Sequence, residues 1–259
     1  MNFWTRRLRA VVPWVLVAVL SNVAVLLVLL PAAWITPQFA KATHGHVNLV
    51  DPAGSLWSGS ATLVLAAGDD PSGATLLPGR IEWHTAFWPL LTGRVRMQMR
   101  QTEAMPDPIT LDATPRGATM TGGAITVPAS LLAGLGAPFN TLGLQGDVRL
   151  AWTDWRTLGN EAFGQLNVTL SEMSSRVSLV KPLGSYRVVV QAAGASSTVD
   201  LSTLKGPLML EGHGTVQQTH SSFQGTASAA PEQRDNLAGL LNLLGRRTGP
   251  DTVVLTFAH

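Results

Sequence analysis

The 259-residue chain has no cysteine and a formal net charge of only +2, which excludes disulfide and thiol chemistry and leaves no strong cationic field for nucleic acid. Without Arg6, Arg7 and Arg9 the remainder carries −1, so the basic character belongs to a short N-terminal arm. Only 13% of residues are charged, while glycine, threonine, serine and valine abound, a composition that favours strands over helices.

No charged residue occurs between Arg9 and Lys41. Within that gap, Val11 to Leu30 is almost unbroken apolar side chain, with Val11, Leu16, Leu20, Leu26 and Leu30 spread along it. At ~1.5 Å rise per residue it predicts a helix long enough for the roughly 30 Å hydrocarbon core of a bilayer. Arginines are held on the cytoplasmic side, so Arg6, Arg7 and Arg9 place the N-terminus there. Trp14 and Trp34 suit the two interfaces. The alternative is a cleaved signal peptide, but its apolar stretch runs only about 7–15 residues, and the A-x-A-like Ala40-Lys41-Ala42 lies far beyond this one. The expected organisation is a cytoplasmic arm over 1–10, a transmembrane anchor over 11–34 and a β-rich domain over 35–259 on the far side.

Beyond the anchor, period-2 patterns dominate. In Arg94–Arg100 the apolar Val95, Met97 and Met99 alternate with polar residues, as in a half-buried antiparallel strand. Similar alternation marks Val148–Trp152, Leu166–Leu170 and Val253–Phe257. Further strands are predicted at Ala61–Leu65, Ile81–His84, Ala118–Met120, Val177–Leu179, Tyr186–Gln191, Val199–Leu201, Leu208–Leu210 and Ser222–Ser228, with glycine, proline, aspartate and serine between them reading as turns. Roughly ten short strands in succession predict an all-β meander or curved sheet rather than βαβ units. Two helices interrupt it. Leu237, Leu240, Leu241 and Leu244 follow helical spacing, with Gly245 placed to end the helix through a left-handed residue. Pro128 is placed to start a shorter helix ending at Leu135. Both read as plugs over an apolar face or edge.

Catalytic patterns are missing. There is no P-loop, dinucleotide fingerprint or G-x-S-x-G elbow. Ser178-Leu-Val-Lys181 matches S-x-x-K in a strand-like stretch without its companion motifs. His44 and His46 can point one way if Gly45 is extended, but no third ligand stands at a suitable spacing. Asp69-Asp70 and Glu103…Asp107 read as solvated turns. No catalytic, metal or cofactor-binding residue is assigned, and the chain reads as a non-enzymatic protein with no cofactor.

The ordered motifs carry more. Asp51–Leu63, with Gly54, Leu56, Trp57 and Gly59, resembles the GTLWSG-A-like segment of the type II secretion system protein N family. Ile81-Glu82-Trp83, then Leu90–Val95 with Gly93, is similar to that family's strand, turn and strand. Leu144–Trp152 with Gly146, Pro182-Leu-Gly184-Ser-Tyr186 and Gly206-Pro207 continue the series in order. Physically each motif reads as architecture: Trp57, Trp83, Trp88, Trp152 and Tyr186 as core or sheet-edge aromatics, with Gly54 and Gly59 permitting tight turns. The resemblance implies an inner-membrane, single-pass subunit with a curved, mostly antiparallel periplasmic β-sheet domain. It would help export folded proteins across the outer membrane. Its implied partners are other inner-membrane subunits of the apparatus, membrane lipids and exoproteins, with no nucleic acid. The rival is an AsmA-like lipid-binding or lipid-transfer module, with Val95, Met97 and Met99 lining an acyl-chain groove.

Overall fold

The computed structural model describes residues 14, 17, 18, 21, 25, 29–67, 70–136, 139–217, 220–249 and 252–258. Among them, one 17-stranded sheet carries the whole fold, and its strand pairings are antiparallel throughout. Arg6, Arg7, Arg9, Val11, Leu16, Leu20 and Leu26 lie outside the described residues. No helix among those described is long and apolar enough to cross a membrane.

The sheet begins at β1 (Val47–Gly54), which pairs β2 (Ser58–Ala67). On its other side β2 meets β3 (Asp70–Leu76) and then β4 (Ile81–Ala86). From β4 the order runs through β5 (Val95–Gln101), β6 (Ile109–Thr114) and β7 (Gly117–Met120). Here the meander doubles. The strands β8 (Gly123–Pro128) and β9 (Leu144–Trp152) pair with each other. Beyond them β10 (Trp155–Leu158) returns to β7. The long β11 (Glu161–Ser175) accepts both β10 and β9 along one side. The rest is plain up-and-down pairing through β12 (Gly184–Gly194), β13 (Ser196–Lys205), β14 (Leu208–Gln217) and β15 (Ser221–Ala229). The short β16 (Arg246–Arg247) and β17 (Thr252–Ala258) close the series, β17 lying between β16 and β15.

This alternation gives the sheet two rims. At the upper rim lie the start of β2, the end of β4, the start of β5 and the hairpin turns β6–β7, β10–β11, β12–β13 and β14–β15. The lower rim carries the longer connections. It also gives two chemically distinct faces. Paired across strands on one face are Leu150, Val168, Val188 and Leu201, and beside them Val148, Leu170 and Tyr186. The other face holds ion pairs between directly opposed residues, Glu82–Arg100 at 3.1 Å and Arg96–Asp112 at 2.9 Å. Such exposed pairs contribute only about 0.2–1 kcal/mol each and serve mainly to set register.

The strands outnumber those predicted because short runs such as β3, β8 and β10 carry little alternation of their own. One predicted strand is absent. Val177–Leu179 is a turn, since the Ser178 hydroxyl both donates to Val180 O and accepts from its N–H, at 3.2 and 3.1 Å. Local side-chain bonding of this kind competes with a ladder, and Leu179 is 87% exposed. The predicted Pro128 helix is a 3-10 turn over Ala129–Leu135, with Pro128 itself extended at the end of β8. The Leu-rich helix spans Arg234–Leu244, but Gly245 has φ 179° and is not left-handed. A Cβ there would lie 2.4 Å from Val254 O, so its requirement is close backbone approach.

Candidate functional site

The Arg234–Leu244 helix lies over β15 and β17 at the lower rim. Leu237, Leu240 and Leu241 are buried against Leu208, Ala227 and Val253. Fully burying each leucine contributes about 1.5–3 kcal/mol, more than helix propensity supplies. The helix does not fill the space beneath it. Between it, Phe139–Leu144 and the apolar sheet face is a cavity of about 560 Å³, lined by Leu142, Leu144, Met173, Leu208, Leu210 and Leu244 among others.

No charged side chain faces this cavity. Its two polar side chains are satisfied internally: Ser175 Oγ donates to Leu142 O at 2.6 Å and Tyr186 Oη to Leu208 O at 3.1 Å. A cavity of that chemistry stays dry and takes apolar ligands, and its volume falls within the roughly 300–1,000 Å³ of small-molecule sites. Burial raises the Tyr186 pKa above the ordinary phenol range. The unfolded chain therefore ionises first, at about pH 10, so this contribution to stability is present below that pH and is lost as pH climbs toward the folded value. Tyr186→Phe should cost about 1 kcal/mol at neutral pH through the lost hydrogen bond. Urea unfolding above pH about 10 should show the wild type losing that advantage while the variant lacks this titration. Tyr186 is the chain's only tyrosine, so its absorbance reports the same ionisation.

The motif residues fall into two groups. One surrounds Trp83 near the upper rim. Trp83 is buried with Ala32 and Ala61, its Nε1 donating to Ser55 O at 3.2 Å. A Cβ on Gly59 would meet its ring at 2.6 Å. Leu56 N–H donates to Leu30 O at 2.9 Å, Gly54 ends β1, and Gly93 follows the 3-10 turn Trp88–Thr92. Trp57 is not a core residue: it is half-buried and stacks edge-on with Phe87 at 5.5 Å. Trp88 is 76% exposed. Trp152 is half-buried, with Nε1 donating to Thr121 O.

The second group sits at the lower rim beside the cavity. Gly146 faces the β11 irregularity at Ser171–Ser174. Pro182 precedes Leu183, whose carbonyl accepts from Leu208 N–H at 3.0 Å, and Pro207 O accepts from Ala230 N–H at 2.7 Å. Gly184 and Gly206 stand against each other: a Cβ on Gly206 would lie 2.2 Å from Gly184 Cα. These residues join β12, β14 and β15 where the cavity closes.

The sequence model for the type II secretion system (T2SS), protein N, matches residues 45–256. The chain belongs to this family. The protein N match spans both motif groups and the cavity. No curated protein and no solved structure matches the chain.

Other candidates dissolve. Met97 and Met99 pack against the Trp83 cluster, so the apolar cavity is at the opposite end of the protein N fold from the groove expected there. His44 lies in a turn with φ 51°, and no group of three metal-ligating residues occurs among the described residues. Ser178 is engaged with Val180 in the turn before Pro182. The cavity-lining Leu142, Leu144, Met173 and Leu210 are residues the sequence did not single out as a site. The helical spacing of Leu240 and Leu244 and the family motifs around Leu144 and Tyr186 were the signals that pointed toward them.

Proposed function

We propose that the chain is a non-enzymatic subunit of the type II secretion apparatus, tethered in the inner membrane by Val11–Leu30 with its N-terminal arginines in the cytoplasm. Residues 35–259 form its periplasmic domain. The observation that carries this reading is the protein N match across the sheet, joined to the uncharged tract before it. Its work is contact with other inner-membrane subunits and with exoproteins in transit. Strand addition at β17 is the mode the fold favours, because β16 pairs only with Val253 and Val254 and no described strand covers the outer side beyond them. In-cell crosslinking from Thr256 in an intact secretion apparatus should capture a secretion subunit or exoprotein. Capture of neither, with normal exoprotein release after deletion, would sink this reading.

A second reading, an AsmA-like lipid-binding module, is favoured by the apolar cavity under the Arg234–Leu244 helix. A phospholipid acyl chain is its natural occupant. Lipid extracted from the purified full chain should then fall sharply when Leu210→Trp fills the space. Equal recovery from both proteins would remove the lipid reading.

A further inference from the structure

The upper rim near β4 and β5 carries an exposed apolar loop that the packing of the domain does not use. Phe87, Trp88 and Leu91 are 44%, 76% and 68% exposed. They are held in place rather than loose. Trp88–Thr92 is a 3-10 turn, Trp57 stacks on Phe87, and the Phe87 and Trp88 rings meet edge-on at 6.0 Å. Trp57 O accepts from Thr85 N–H at 2.7 Å, which fixes the loop to the strand.

Two further observations say what covers it. First, Leu30, the last residue of the apolar tract, accepts a backbone hydrogen bond from Leu56, the residue beside Trp57. The point where the tract joins the domain is thus next to the loop. Second, the rim beside the loop is cationic. Arg94, Arg96, Arg116 and Arg156 are all exposed there, set against Asp112, already paired with Arg96, and Glu161. Arg94, Arg96 and Arg156 border an open groove of about 280 Å³. Aromatic and leucine side chains seat at the headgroup–acyl boundary, and arginines just behind them meet anionic headgroups.

We propose that this rim is a second membrane contact: Phe87, Trp88 and Leu91 enter the outer surface of the same bilayer, and the arginine groove takes its anionic headgroups. The inference rests on reading Val11–Leu30 as the anchor. It makes the domain lie with its upper rim on the membrane and the cavity-bearing lower rim away from it.

The absence of cysteine allows single thiol reporters. The full chain, reconstituted in phosphatidylethanolamine/phosphatidylglycerol vesicles, would carry an environment-sensitive fluorophore at L91C, at L179C on the lower rim, or at V17C in the tract. Brominated lipids should quench L91C at least about twofold more than L179C. In the L91C background, R94Q/R116Q/R156Q should remove most of the difference between anionic and zwitterionic vesicles. Quenching at L91C equal to that at L179C would overturn the membrane contact, whatever V17C reports. V17C tests the anchor separately: a solvent-like signal there would sink the tether and leave the L91C comparison intact.

Discussion

Leu237→Asp should release the Arg234–Leu244 helix from the sheet. Leu237 is fully buried at the centre of the cluster formed by Leu208, Ala227, Leu241 and Val253. Truncation of such a leucine alone costs about 2–5 kcal/mol. An aspartate adds a carboxyl with no partner in a leucine-lined space, which must either be desolvated or bind a proton. The combined penalty is on the order of 5 kcal/mol, comparable with the whole stability of a marginal domain. Its readout is local before it is global. Arg234, Arg246 and Arg247 flank the helix, so limited trypsin digestion should cut there rapidly in the variant and slowly in the wild type. Unchanged cleavage with an unchanged urea midpoint would show that the helix does not depend on this contact.

Gly206→Ala is the second large effect expected, and it has a different origin. Gly206 has φ 124°, a conformation that L side chains rarely adopt, and its Cβ would strike Gly184 Cα and Leu183 O at 2.2 and 2.6 Å. Backbone strain of about 1–3 kcal/mol adds to an overpacking cost of about 1–3 kcal/mol, because the atoms met belong to the main chain and cannot rotate away. Gly93→Ala provides the comparison. Gly93 also has positive φ, at 72°, but a Cβ there meets nothing within 4 Å, so the loss should be about 1 kcal/mol. Urea denaturation of the two variants separates conformational strain from steric collision. Equal losses would refute the close-approach account of the Gly184–Gly206 pair.

The regular part of this architecture was legible in the sequence because burial on one face leaves a period-2 record. The Val95–Met99 and Leu166–Leu170 patterns reappear as β5 and β11, and the leucine spacing from Leu237 to Leu244 as the covering helix. The misreadings of Gly245 and Trp57 depend on long-range neighbours, whereas the lost Val177–Leu179 strand is a local effect of the Ser178 hydroxyl. Gly245 serves contact with Val254 across the sheet, information that no local window contains. Trp57 and Trp83 are both apolar aromatics near glycines, yet only Trp83 is covered by Ala32 from the N-terminal segment. The cavity was illegible because its wall is assembled from Phe139–Leu144, four strands and a helix far apart in sequence. The family motifs pointed nearer to it than periodicity did, since Tyr186 lines it and Gly184 and Gly206 brace its boundary.

The sheet's pairing order has a consequence for how the chain reaches this structure. Most hairpins join neighbours in sequence, and even the detour that brings β10 to β7 spans only Met120 to Trp155. Loop closure therefore remains short at each step, which lowers the entropic barrier that usually makes all-β proteins slow to fold. A chain delivered N-terminus first can add strands to a growing template. The Arg234–Leu244 helix arrives only after β15 is in place, so the roof over the apolar cavity is among the last pieces to be laid.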